Sequence, residues 1–301
     1  MTRSVALAHL VRLEGGLSEG IWAGHTLRSA FQPIYGIRGE RLEIVAYEGL
    51  LRAFRGDEPM APMAFFASIP TLDRLHVETL TRTLHLLNAA VCLDPAAALF
   101  VNFNPSVFTE AGIADIALRD MRLVLHEAGI DAGRVVCEVT EQQSAAEEVL
   151  AAFVEALRGN GFRIAVDDYG AADSDIARVT ALSPDIVKFD AHWLSRLMES
   201  DPGFQLLKTM VHTFEDRDIR TVFEGIEETW QIDMAIEAGV SMLQGYALAR
   251  PQLAVLRDEG AASPDFHSHR PVGTHSAPPI PHVVRHAQKS VRSFGKRASQ
   301  Q

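Results

Sequence analysis

The sequence predicts an α/β fold whose strands run parallel and close into a (β/α)8 barrel. Three observations carry this. At least seven apolar, strand-like runs alternate with helical stretches over about 230 residues. The runs are apolar nearly throughout, as strands buried on both faces must be. Polar residues gather where each run ends, and that end is the rim on which barrels of this class build their sites. An open doubly wound sheet has the same alternation. The number of units and the clustering of polar residues at strand ends favour the barrel, and the lack of a glycine-rich phosphate loop weakens the open sheet.

In chain order the strand-like runs are EIVAYEGLL from Glu43, ALFVNFN from Ala98, RVVCEVTE from Arg134, FRIAVDD from Phe162, DIVKFD from Asp185, RTVFEGIE from Arg220 and VSMLQGY from Val240. The clearest helix lies in SAAEEVLAAFVEALRGNG, where Ser144 and Glu147 form a capping-box pattern and Gly159 and Gly161 supply the stop. FQLLKTMVHTFEDR from Phe204 and TWQIDMAIEAG from Thr229 read as helices in the same way. Residues 1–25 read as an N-terminal extension and 26–257 as the barrel. From 258 the chain turns rich in Pro, Ser, His and Arg without any period, and 258–301 reads as a disordered basic tail. Its five histidines have no compact metal-site spacing. The tail is expected to be solvated and able to meet an acidic partner or an anionic membrane surface.

Composition narrows the class. The 47% hydrophobic content is that of a globular protein able to form a core without disulfides. Cys92 and Cys137 sit in apolar surroundings and read as buried, reduced thiols, which suits a cytoplasmic chain. No run approaches the ~20 apolar residues of a membrane span, and no signal peptide is read. A net charge of −11 argues against sequence-independent nucleic-acid binding by the body of the chain, which is more acidic still once the tail is set aside.

The strand ends carry Glu48, Asn102, Glu138 with Glu141, Asp167 with Asp168, Lys188, Glu224 with Glu227, and Gln244. Singly, each has an ordinary reading as a helix cap, a turn residue or a salt-bridge partner. At successive strand ends they form one constellation of converging carboxylates. Such a ring needs hard divalent cations, and oxygen ligands suit Mg²⁺ or Mn²⁺. With a carboxylate free to bridge, two metals serve in-line displacement at phosphorus. In VDDYG, strand alternation would point Asp167 and Asp168 to opposite faces, so the chain must leave regular strand geometry there, and Gly170 permits it.

These residues carry a resemblance. FQPIYGI at Phe31, AYEGLLR at Ala46, FVNFNP at Phe100, CEVTE at Cys137, VDDYG at Val166, DIVKFD at Asp185, FEGIEE at Phe223 and QGYALARP at Gln244 match the EAL domain family of bacterial cyclic di-GMP phosphodiesterases in order and spacing, from Leu27 to Pro251. The resemblance implies a TIM-like barrel with one antiparallel strand and hydrolysis of cyclic di-GMP to linear pGpG with two Mg²⁺ or Mn²⁺ ions. It implies one metal on Glu48, Asn102, Glu138 and Asp167, and a second on Asp167, Asp168 and Glu224. Lys188 would hydrogen-bond the attacking water or the scissile phosphate, and Gln244 would help place water. Gln32, Leu50 and Arg52 would face substrate. Glu141, also read as serving catalysis, and Glu227 would support the ligands from behind. A homodimer is implied as well.

Two departures stand out. The signature reads EGL, so Gly49 replaces an alanine beside Glu48, adding backbone freedom at a cost under about 1 kcal/mol. The loop after VDDYG reads Ala171-Ala172-Asp173-Ser174-Asp175, where the family carries a glycine at Ala172 and an aromatic at Asp173. That loop leaves a second reading open, a cyclic di-GMP receptor or protein-interaction module with little or no catalysis. A third is a barrel enzyme acting on another phosphate ester.

Overall fold

The computed structural model describes residues 9–39, 41–104, 113–140, 147–171 and 176–257. Eight strands close the barrel: β3 (His25–Arg38), β4 (Arg41–Arg55), β6 (Ala98–Phe103), β7 (Val135–Thr140), β8 (Arg163–Tyr169), β9 (Ile186–Phe189), β10 (Arg220–Phe223) and β11 (Met242–Leu243). Seven of them run parallel from β4 round to β11. β3 is antiparallel to both its neighbours, β4 and β11, and seals the ring. The architecture is therefore the mixed, TIM-like barrel with one reversed strand. The seven strand-like runs of the sequence are its seven parallel strands. The reversed strand is absent from that set because a strand entering by a hairpin lacks the strand–helix rhythm by which the others are read.

Outside the ring, β1 (His9–Arg12) and β2 (Ser18–Trp22) form a hairpin that pairs onto the start of β3, so residues 9–22 extend the same sheet. Short strands β5 (Glu58–Met60) and β12 (Gln252–Leu253) pair with β4 and β3. The helices are α1 (Pro62–Ser68), α2 (Arg74–Cys92), α3 (Ile113–Ala128), α4 (Glu147–Gly159), α5 (Ile176–Ala181), α6 (Ala191–Met198), α7 (Asp201–Glu215) and α8 (Thr229–Ala238). The three helical segments read from the sequence are α4, α7 and α8. The Ser144 half of the capping box lies outside the described residues, whereas α8 closes on Gly239 in the left-handed conformation at φ +80°. The 258–301 tail is also outside the described residues. No helix among those described is long and apolar enough to cross a membrane.

Of the three clusters that form the core, two position the site. A large one joins the outward faces of the strands to the helices, including Val101, Cys137, Val139, Ile164, Val187 and Phe223. A second fills the barrel interior with one residue from every strand: Ile34, Ala46, Phe100, Val136, Ala165, Ile186, Val222 and Met242. This inner layer is the platform for the site. Cys137 is buried as expected, but Cys92 is only half-buried, because it ends α2 at the helix's outer edge.

Candidate metal centre and active site

Side chains of a strand alternate between its faces, so the residue two positions beyond each inner-layer residue also faces the barrel axis. Two positions on from Ala46, Phe100, Val136, Ala165, Ile186, Val222 and Met242 stand Glu48, Asn102, Glu138, Asp167, Lys188, Glu224 and Gln244. On the reversed strand the count runs backward, from Ile34 to Gln32, which pairs with Glu48. The polar residues read from the strand ends are thus one inward-facing layer, stacked on the apolar layer beneath.

Lys188, only 1% exposed, stands at the centre of that layer. Its Nζ lies 2.6 Å from Glu224 Oε1, 3.3 Å from Asp167 Oδ1 and 3.9 Å from Glu48 Oε2, and it contacts Glu138 Oε1. Burial alone would push this lysine down, but the surrounding carboxylates, Asp167 first, outweigh it and hold the ammonium well above the ordinary lysine range. Glu48 is fixed from two sides, by Gln244 Nε2 at 2.7 Å and Asn102 Nδ2 at 3.3 Å. Each amide donates to Glu48, and the Gln244 carbonyl oxygen is left buried with no hydrogen-bond partner.

One ammonium does not balance five carboxylates. Burial drives Glu138 well above the usual carboxylate range, with Lys188 opposing. Burial raises Glu224 and Asp168 too, with the Asp167 charge adding in both cases. Glu138 Oε2 is buried without a hydrogen-bond donor. Asp167, Asp168 and Glu224 present carboxylate oxygens within 4.8 Å of one another. An uncompensated cluster of hard oxygens with orphaned lone pairs fits a divalent cation of the Mg²⁺ or Mn²⁺ type.

The two adjacent aspartates share this cluster because β8 breaks its own pleat. Register against β9 shifts between Val166 and Tyr169, and Asp168 adopts φ +57°. Aspartate is among the few residues that enter this region without a large penalty. The departure thus begins at Asp168 itself and continues through Gly170 at φ +98°. A Cβ at Gly170 would sit 2.5 Å from Trp193 Cδ2, so glycine is required there for space as well as for conformation. Tyr169 is buried between Phe189, Trp193 and Phe214 and anchors the bulge. Asp190, accepting from Trp193 N at 2.8 Å, caps the helix that carries Trp193.

The motif glycine has a structural reason. A Cβ at Gly49 would lie 3.0 Å from Cγ and Cδ2 of His85, whose ring, 2% exposed, packs beneath the backbone just after Glu48. His85 Nδ1 is 2.8 Å from Ser29 Oγ, which also accepts from Asn88 Nδ2 at 3.1 Å. Phe31 meets the ring edge-on. Burial pushes the imidazole down to about 3, with Arg52 adding to the effect, so it is neutral. Gly49 therefore accommodates a neighbour; the freedom it adds is taken up by close contact with His85.

Beside the carboxylates opens a cavity of about 570 Å³, walled by Leu50, Arg52, Arg74, Glu78, Asn102 and Asn104 among others. Leu50 and Arg52 thus face a cleft continuous with Asn102. Arg52 Nη1 is held by Leu51 O at 2.9 Å, and Gln32 Nε2 by Ala249 O at 3.1 Å. Glu227 is exposed, and its backbone N–H donates to Gln231 Oε1 at 2.8 Å. Glu141 and Ala172–Asp175 lie outside the described residues. The contribution of α2, through Arg74, Glu78 and His85, is not visible from strand ends. The only sequence signal for it was Gly49, which marks a close approach without naming the neighbour.

The family model of the EAL domain matches residues 16–251. The chain is 26% identical over 226 residues to a probable cyclic di-GMP phosphodiesterase, PdeA, and 24% identical over 230 residues to the cyclic di-GMP phosphodiesterase PdeF, both of Escherichia coli. Each match covers 73% of this chain but only 30% and 29% of those relatives' lengths. Among solved structures, the Bacillus subtilis YkuI protein, with an EAL domain and in complex with substrate c-di-GMP and calcium, superposes with a TM-score of 0.67 at 25% identity, covering 77% of this chain and 57% of that one. With the reversed-strand barrel and the inward acidic layer in place, these matches establish that the chain belongs to the EAL domain family.

Proposed function

We propose that this chain hydrolyses cyclic di-GMP to linear pGpG, using two divalent cations, Mg²⁺ or Mn²⁺, at the barrel mouth. The observation that carries the reading is the inward layer itself: four carboxylates around one buried ammonium, joined by Asp168 and by the Asn102 and Gln244 amides, beside a cleft lined by Arg52. Glu48, Asn102, Glu138 and Asp167 would hold one ion and Asp167, Asp168 and Glu224 the other. Bound there, the ions supply activation of water and neutralisation of charge at phosphorus.

The chain's own residues do the rest. Lys188 keeps its proton because the carboxylates hold it, so it serves as a hydrogen-bond donor to the attacking water or a phosphoryl oxygen. The Gln244 and Asn102 amides fix the orientation of Glu48, with which the water is aligned. Arg52 can present its guanidinium fork to phosphate. Gln32 and Leu50 flank the cleft, and Glu141 and Glu227 support the ligand loops. Attack opens one of the two phosphodiester bonds of the cyclic dinucleotide. The barrel would span 26–257, between an N-terminal segment and a basic tail, in a cytoplasmic homodimer.

Chromatography of cyclic di-GMP incubated with the purified chain tests this. Conversion to pGpG with Mg²⁺ or Mn²⁺ is expected, and Glu48→Ala and Asp167→Asn should abolish it. No turnover with either ion overturns the reading. In that case tight binding by calorimetry would support the receptor reading, which the altered sequence Ala171–Asp175 favours.

A further inference from the structure

Two positions before the apolar inner layer, the same alternation defines a third inward layer at the opposite end of the barrel. There Arg163 opens β8, Arg220 opens β10, and Gly36 and Ala98 stand on β3 and β6, while a bulge on β4 pairs Ile44 with the outward-facing Tyr35 and sets Val45 over Gly36. Barrel interiors are ordinarily filled here by branched aliphatic side chains. Two of these positions are small and two are arginine. The result is a cavity of about 630 Å³ that reaches up to Phe100, Ile186 and Met242 of the apolar layer, with Tyr35, Arg163 and Arg220 in its wall.

The polar groups of this cavity are mismatched. Among the described residues neither Arg163 nor Arg220 forms an ion pair, and Arg163 Nε is buried with no hydrogen-bond partner. The nearby carboxylates are engaged elsewhere. Glu43 pairs with Arg38 at 3.1 Å, Asp94 accepts from Ala96 N at 2.8 Å, and Asp185 accepts from Ile164 N at 2.7 Å. Ser241 donates to Glu215. The Arg220 charge bears on Arg163, whose guanidinium is lowered first by burial, with Asp185 only partly compensating. A buried guanidinium N–H without an acceptor, beside a second arginine in a cavity of ligand size, describes a binding site.

We propose that the N-terminal end of the barrel binds a small molecule through an oxyanion group, phosphate or carboxylate, held by Arg163 and Arg220, with the rest of the ligand against the apolar inner layer. Paired guanidiniums suit a planar or tetrahedral oxyanion. The site lies at the far end of the barrel from the carboxylate cluster and stands or falls apart from the phosphodiesterase reading.

Calorimetry and thermal unfolding of the full chain in EDTA would test it, with inorganic phosphate and malonate as probes and sodium chloride at matched ionic strength as the control. EDTA keeps either anion from being recruited by divalent cations at the acidic end. Saturable binding of phosphate or malonate is expected, and the tighter probe identifies the group. Arg163→Gln with Arg220→Gln should weaken it by at least roughly tenfold, while Mn²⁺ binding is retained. If stabilisation follows ionic strength alike for chloride and phosphate, or survives both substitutions, the finding is an adventitious ion only and the proposal is overturned. Absence of saturable binding by both probes overturns it equally.

Discussion

Gly49 and His85 should behave as a coupled steric pair. Gly49→Ala puts a methyl 3.0 Å from Cγ and Cδ2 and 3.2 Å from Cβ of His85, closer than carbon contacts tolerate without movement. The ring has little room to yield, since Ser29 Oγ holds Nδ1 at 2.8 Å and Phe31 packs on its edge. Overpacking of this kind costs about 1–3 kcal/mol. Gly49 lies in a strand without positive φ, so alanine also removes unfolded-chain entropy, a gain of about 0.4–1 kcal/mol. In the natural chain the net effect should be a loss of about 1–2 kcal/mol. With His85→Ala in place the clash is gone and only the gain remains, so Gly49→Ala should become neutral or slightly stabilising. Urea unfolding of the four proteins closes the cycle, with an expected coupling of about 1–3 kcal/mol. Additivity within about 0.5 kcal/mol would show that His85 does not dictate the glycine. Because Glu48 immediately precedes Gly49, the Gly49→Ala protein should also bind Mn²⁺ more weakly, and His85→Ala should restore that binding.

Other outcomes follow from the same geometry. Lys188→Met leaves Glu138, Glu224, Asp167 and Glu48 without their buried cation, so the protein should lose about 3–5 kcal/mol in EDTA and recover part of it with Mn²⁺; an unchanged unfolding temperature in EDTA would contradict the charge balance described. Gly170→Ala should be more damaging than Gly49→Ala, and Trp193→Ala should rescue it only in part, because the positive φ remains after the 2.5 Å contact is removed. Full rescue in urea unfolding would mean that space alone selects that glycine. His85 is neutral when folded, at about 3, against 6.5 when unfolded, so the unfolded chain takes up its proton first. Its contribution to stability is complete above about pH 6.5 and falls as pH drops toward 3. Between pH 7.5 and 5.5 this amounts to about 1.4 kcal/mol, which His85→Asn should remove from the pH dependence measured by urea unfolding.

Much of this protein is legible one strand at a time. Apolar runs in a strand–helix rhythm determine parallel, doubly buried strands, and a polar residue two positions past an apolar one is already assigned to the same face. Glu48, Asn102, Glu138, Asp167, Lys188, Glu224 and Gln244 could therefore be named in advance as a converging rim. The doubled aspartates even announced that β8 must break its pleat, because period-two alternation forbids both from facing one site. Tertiary structure decided what depends on neighbours distant in sequence. β3 is reversed because it enters by a hairpin and closes the ring, which no local period records. Gly49 is a glycine because His85, on a helix 36 residues later, occupies the space of its Cβ. Lys188 keeps its proton only because four carboxylates from four other strand ends surround it. Arg163 and Arg220 look like ordinary strand-starting charges until barrel closure turns both toward one cavity. Alternation fixes the face each side chain takes; only closure of the barrel determines which other side chains it meets there, and their charges and volumes set its chemistry.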